Sequence, residues 1–282
     1  MKVIDWHAGF VSAMKLELIA DEANLDFDDE HYVANRAQRI DLLIIKKKKE
    51  IVVSKSIGKI FKAQNILEYK GPGDSLTYED FHKTLAYAHL YFYEENRKLG
   101  LGNGDYTITF VRESKPEKLF RKLNEEGYEC SRVSEGIYEL EGKVPFKTQV
   151  AVMSELPPDE YVWLRSLTKR GTKSNISAIL NRTERFDSIH KDMADNIMQV
   201  FAKANTELFE RIKEEDQDMC TAIEEIFADR FQQKIDGYEQ ILDEKDAEIN
   251  RLKKNLEDVD MLKAQVKQLT KELNRYRKMS AQ

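Results

Sequence analysis

Cysteine is almost absent from this sequence. Its 282 residues hold only Cys130 and Cys220, far apart and without metal-ligand spacing, which argues against a disulfide framework and against a zinc site. No run approaches the ~20 apolar residues that span a bilayer, and no basic segment followed by a long apolar core opens the chain. The expected setting is therefore cytoplasmic, with no membrane partner. From about residue 181 onward there is no proline and one glycine, Gly237, so little interrupts a helix there. The net charge of -6 is unevenly spread. Residues 36–70 carry ten Lys/Arg against three acids, whereas residues 21–30 carry six acids and no base. The local field decides what a site attracts, so overall acidity does not exclude nucleic acid.

What is present reads as two regions. Residues 1–170 have mixed α/β grammar. Residues 6–20 place Phe10, Met14, Leu16 and Leu18 on a roughly helical period with Glu17 among them, and an acidic loop is expected from 21 to about 35. The apolar run 40–46 predicts a strand that turns through four lysines, 46–49, and returns as a hairpin through Ile51, Val52 and Val53. A third strand over 66–70 stops at Gly71-Pro72-Gly73. A helix over 77–98 follows, with Ser75 or Thr77 as cap and Glu79-Asp80 in its first turn, then a strand over 106–111. Beyond these the pattern predicts a helix near 116–126, strands near 131–139 and 148–152, and a last helix through Trp163 and Leu167. Residues 171–184 read as a linker, and 185–282 as a helical, coiled-coil region.

A seam of Ile235, Tyr238, Leu242, Ile249, Leu252, Leu256 and Val259 steps by threes and fours, with Lys245 on one seam position. Two successive three-residue steps, Val259 and Leu262, form a stammer before Val266, Leu269, Leu273 and Tyr276 resume. This pattern implies a homodimer or higher homo-oligomer formed through the C-terminal helix, or that helix folding back on its own chain, while Lys245 and the stammer argue against a long uninterrupted zipper.

The chemistry concentrates between residues 39 and 70. The buried run I-D-L-L-I-I carries Asp41, and N-I-L-E-Y-K carries Glu68 and Lys70, which alternation puts on one strand face. Charges on a buried strand are costly unless paired or bound to an ion. Two carboxylates and an ammonium at one sheet end suggest a site for a divalent cation and an activated water, weighed about equally against a strand-end salt bridge between Asp41 and Lys70 with Glu68 solvated. Magnesium takes oxygen ligands, so Asp41, Glu68 and the Tyr69 carbonyl are its expected ligands, with manganese as an alternative and Glu17 reaching the ion directly or through water. Lys70 would orient the water and offset charge developing on a phosphate. Lys46 and Lys47 are candidates for phosphate contacts, weighed equally against a solvated hairpin tip. Tyr87, Tyr91, Phe92 and Tyr93 read more readily as core than as base-stacking platforms. His7, His82 and His89 read as packing or exposed residues rather than ligands.

This arrangement resembles the PD-(D/E)XK nuclease superfamily, in which a helix bearing glutamate precedes a hairpin bearing aspartate and a third strand carries E-x-K. Glu17, Asp41, Glu68 and Lys70 match those positions. Some branches add Q-x-x-x-Y on the next helix. Here Lys83 and Tyr87 have that spacing, with lysine in place of glutamine, and they are candidate substrate contacts. Ile40 replaces the proline of the motif. Within the superfamily the chain is similar to the bacterial recombination-promoting nuclease and transposase-like group, through W-H-A-G-F, R-I-D-L-L-I-I-K-K, L-E-Y-K and Y-V-W-L-R-S-L-T. The likeness covers approximately residues 1–169. It implies a restriction-endonuclease-like core (helix, three-stranded meander, helix, strand) and magnesium-dependent DNA cleavage tied to recombination or a mobile element. The alternative is a catalytically silent DNA- or protein-binding module assembled by the coiled coil, because a fold does not settle a function.

Overall fold

The computed structural model describes residues 4–29, 42–48 and 51–225, with scattered helical positions between 245 and 270. The chain divides into two units, Met1–Ile223 and Glu224–Gln282.

The first unit is α/β, built on a mixed seven-stranded sheet. Helix α1 (Trp6–Glu17) starts at Asp5, whose carboxylate accepts the Ala8 N–H at 3.0 Å, satisfying one of the free amides of the first turn. The helix is buried almost all round because it packs on two sides. Phe10 stacks on Tyr69 of the sheet with ring centroids 4.6 Å apart. On the other side Gly9 leaves room for Val200 and Leu167, which lie 3.1 and 3.2 Å from where a Cβ would stand.

Strands β1 (Leu25–Asp28), β2 (Leu42–Lys47) and β3 (Gln64–Lys70) form an antiparallel meander. Helix α2 (Tyr78–Leu99) crosses over to β4 (Tyr106–Arg112), which pairs in parallel with β3. Helix α3 (Glu117–Glu125) and strands β5 (Glu129–Ser134), β6 (Ile137–Glu141) and β7 (Lys147–Val152) complete the sheet in the order β1-β2-β3-β4-β7-β6-β5. One face is covered by α2 and α3. There Ile44, Ile66, Ile108, Phe110 and Val150 meet Phe81, Leu85, Ala88 and Tyr91 of α2 and Leu119, Phe120 and Leu123 of α3. Each such apolar side chain contributes roughly 1.5–3 kcal/mol by leaving water. The opposite face carries α1. Helices α4 (Val162–Arg165), α5 (Lys173–Thr183), α6 (Ser188–Ala204) and α7 (Thr206–Glu215) follow, and residues 217–225 are helical as well.

The structure differs from the sequence pattern in four places. The residues 51–53 expected to return the hairpin are not a strand. Lys47 Nζ donates to the Ile51 carbonyl at 3.1 Å, and Ser54 donates from both N and Oγ to Asp21 at 2.8 Å. That edge of β2 belongs to β1 instead, whose L-D-F-D alternation sits inside the stretch expected to be an acidic loop. The single strand expected near 131–139 is two, turned at Gly136, whose φ of +70° is the left-handed conformation glycine adopts without strain. The last helix of the α/β region is a single turn, α4.

The fourth difference concerns the linker expected at 171–184. Helix α5 occupies it, opened by a capping box between Thr172 and Asn175, with Ile176, Ile179 and Leu180 buried. The polar run T-K-S-N is thus a helix start. Helices α6 and α7 belong to the same unit as the sheet, since Ile197, Val200 and Phe201 are buried and Val200 abuts α1.

In the second unit the described positions are helical and exposed. Leu262, Val266 and Leu269 are 59%, 62% and 63% exposed and lie on one stripe by their spacing. Lys245 pairs with Glu248 at 2.9 Å. Seam residues Ile235, Tyr238, Leu242, Leu252, Leu256, Val259, Leu273 and Tyr276 lie outside the described residues. Among the described residues no helix is long and apolar enough to cross a membrane.

One surface tie in the first unit is pH-sensitive. His190, in the first turn of α6, sits 2.8 Å from Glu22 through Nε2 and 2.8 Å from Asp187 through Nδ1. Burial opposes its charge, but the two carboxylates hold its pKa above the ordinary histidine value of 6.5. The folded state therefore binds this proton more tightly than the unfolded chain. The stabilisation is complete below the ordinary value and disappears as pH rises through the folded one. The melting temperature of wild type is expected to exceed that of His190→Ala most at pH below about 6.5. Thermal melts across pH 5–9 should show the gap closing toward alkaline pH, and a gap that is constant with pH would refute it.

Candidate active site

The end of β3 gathers charge. Glu68 and Lys70 face the α2 side of the sheet, as alternation requires, and Lys70 Nζ lies 3.2 Å from Glu68 Oε1. The same ammonium is 2.8 Å from Oδ1 of Asp80, in the first turn of α2. Asp80 divides its carboxylate. Its second oxygen accepts from Thr77 N at 3.0 Å and Thr77 Oγ1 at 2.9 Å, closing the capping box that starts the helix. The helix start and the lysine are therefore tied to one side chain.

Burial pushes the Glu68 carboxyl above its ordinary pKa, against the pull of Lys70 and, more weakly, Lys83. Burial also opposes the Lys70 charge, but Asp80 and Glu68 outweigh it and hold this pKa above that of an ordinary lysine. Asp80 is lowered: burial works against its charge, and the bonds from Lys70 and Thr77 prevail. Lys83, on α2, has its Nζ 5.5 Å from the centre of the Tyr87 ring. Tyr69 turns its side chain to the opposite face against Phe10, with its backbone between Glu68 and Lys70. Asp41 lies outside the described residues. Leu42, which follows it, pairs with Glu68 across β2 and β3.

The other expected site residues lie elsewhere. Trp6, at the start of α1, abuts Gly71, immediately after Lys70. Glu17 is eleven residues further along that helix, about 16 Å away at 1.5 Å per residue, and on the Tyr69 side of the sheet. Its carboxylate is fully engaged. Oε1 accepts from Trp163 N at 2.8 Å and Leu164 N at 3.1 Å, the first amides of α4, and Oε2 meets Lys55 at 3.1 Å. Lys55 also donates to the Glu160 carbonyl and sits 4.6 Å from the centre of the Tyr161 ring. The structure thus does not bring Glu17 to Glu68. It makes Glu17 a buried tie between α1, α4 and the 55–57 segment.

Lys46 pairs with Gln64 in register, four residues before Glu68, or about 13 Å along the strand. Its ammonium is 3.8 Å from Asp28. Lys47 donates to the Ile51 and Phe61 carbonyls at 3.1 and 3.3 Å. Of the four aromatics weighed on α2, Tyr91 is core, Phe92 and Tyr87 pack against it, and Tyr93 is exposed. His82 packs edge-on against Tyr78 and Phe81, and His89 lies against Phe146.

Two side chains near the site were not singled out by sequence reading. Asp80 was legible as a first-turn acid of the helix, but its Oδ1 reaching Lys70 was not. Arg112 carries no local pattern at all. It enters only because β4 pairs in parallel with β3, which sets Arg112 beside Lys70. Among the described residues no group of three or more His, Cys, Asp or Glu could hold a metal ion. Such a set needs a further oxygen ligand beside Glu68, and Asp41 is outside that description. The donors at hand, carboxylates and a backbone carbonyl, are the hard oxygens that suit magnesium. Comparison with known protein families, curated proteins and solved structures finds no match.

Proposed function

We propose that the chain is a magnesium-dependent DNA endonuclease of the PD-(D/E)XK type, active in recombination or in the movement of a mobile element. The observation that carries this reading is the Glu68–Lys70 pair on one face of β3, at the strand end where Leu42 brings in the segment that carries Asp41. The order helix, three-stranded meander, helix, strand over residues 6–112, with β3 parallel to β4, supports a restriction-endonuclease-like core.

Asp41, Glu68 and the Tyr69 carbonyl would hold magnesium or manganese. The ion, when bound, supplies polarisation of the scissile phosphate and a water of lowered pKa. Lys70 orients that water and offsets the charge that develops on the phosphate. Asp80 keeps the ammonium in reach of the site by holding it from the helix side. Lys83 and Tyr87 extend the face on which a DNA strand would lie. Two copies joined through the Leu262, Val266 and Leu269 stripe would give two cuts at a fixed separation.

The test is cleavage of supercoiled plasmid by the purified protein with magnesium, manganese or EDTA, with Asp41→Ala alongside. Metal-dependent nicking that Asp41→Ala loses is the expected result. Folded protein that binds DNA yet never nicks it would replace this reading with the silent binding module.

A further inference from the structure

Arg112 ends β4 in register with Lys70, so the two residues sit side by side about 4.8 Å apart. Residues paired across a sheet point to the same face, so Arg112 shares the α2 side with Glu68 and Lys70. Its surroundings are unlike those of Lys55 and Lys70, which each meet at least one carboxylate within 3.2 Å. Arg112 has no carboxylate within ion-pair distance among the described residues. Its NH2 donates to the Asp74 carbonyl at 3.2 Å, and its Nε is buried without a partner. The Glu113 charge favours the ionised guanidinium without an ion pair, and a buried Nε without a partner remains costly unless something else completes it.

Two further features sit at that loop. Gly73 has φ +99°, and the ammonium of Lys169 lies 3.4 Å from where its Cβ would stand. The loop over 71–76 is therefore approached by two cations, one on β4 and one after α4. Parallel strands also present their ligands at their carboxyl ends, which is where Lys70 and Arg112 lie.

We infer that Arg112 is the seat for a backbone phosphate of the nucleic-acid substrate, placed next to Lys70 by the β3–β4 register. The identity of the ligand rests on the nuclease reading above, whereas the vacancy in the arginine's bonding is independent of it. A guanidinium offers a planar fork to phosphate oxygens, which the compact Lys70 ammonium does not. The Asp74 carbonyl takes one of those donors until the phosphate arrives.

The experiment is binding of a fluorescent DNA duplex to full-length Asp41→Ala protein, with and without Arg112→Gln, between about 50 and 200 mM salt. Glutamine keeps an N–H donor on a shorter side chain and removes the charge. The expected result is affinity about tenfold weaker at the low-salt end, with the slope of log K against log salt shallower by about one. Arg112→Lys is expected to restore the slope but not the full affinity. A role confined to holding the loop would leave the slope alone, so unchanged slope and affinity would overturn the inference. DNA binding with the expected slope change, but no cleavage by wild type, would sink the nuclease reading and leave the phosphate seat standing. Failure of the Asp41→Ala protein to bind DNA at any salt would sink both.

Discussion

Glu68→Ala is expected to lower metal-dependent DNA cleavage by about a hundredfold or more, with the fold intact. Glu68 sits at the end of β3 with its side chain only 13% exposed, and its ion-pair partner is Lys70. Removing it leaves Lys70 held by Asp80 at 2.8 Å, so no buried charge is stranded. The carboxylate's own burial disfavours its charge, so losing it relieves a desolvation penalty while removing a ligand for the cation. Stability and activity should therefore separate in this variant. Initial rates of plasmid nicking measured beside circular dichroism and thermal melting would show it. Lys70→Ala should also lose cleavage, since the charge that offsets the phosphate would be gone, but it leaves Glu68 and Asp80 without their cation and should melt lower as well. Cleavage within a few-fold of wild type in either variant would strip that residue of its role.

Glu17→Ala should have the opposite profile, a large loss of stability. The carboxylate is buried and bonds two backbone amides and Lys55. Alanine would leave Trp163 N and Leu164 N without an acceptor and the Lys55 ammonium without its carboxylate. Breaking a buried pair on one side costs about 3–5 kcal/mol, a large part of the roughly 5–15 kcal/mol that holds a domain together. Urea unfolding should register the loss. Glu17→Gln, which keeps an acceptor for the two amides, should lose less.

The pH dependence is a second readout on Glu17. Burial raises its pKa above the ordinary 4.5, against Lys55 and the α4 amides. The folded state thus binds this proton more tightly than the unfolded chain, and the contribution fades as pH rises above the ordinary value toward the folded one. Glu17→Gln should remove that component. A Glu17→Ala protein within about 1 kcal/mol of wild type would refute the structural role. A stable Glu17→Ala protein that fails to cleave would return Glu17 to the metal site.

The two glutamates show which parts of this protein could be read from the chain alone. Side-chain alternation is a rule over two residues, so Glu68 and Lys70 could be placed on one face without a structure. Capping is a rule over four residues, so the start of α2 was legible to within two residues, Ser75 or Thr77, and the structure places it at Thr77. Periodicity also placed α1, β2, β3, α2 and β4, whereas the strand expected at 51–53 is absent and the first strand, Leu25–Asp28, was hidden by its acidic composition.

What only the tertiary structure decided depends on packing between residues far apart in sequence. The direction of α1 across the sheet sends Trp6 to the Lys70 end and carries Glu17 away from it, although both lie on one helix. The parallel register of β3 and β4 sets Arg112 beside Lys70 across a gap of 42 residues. Helix α5 became part of the globular unit because Ile176, Ile179 and Leu180 found a surface to cover. Local rules determine what a segment can be, whereas the faces and ends that meet are set by the burial of the whole core.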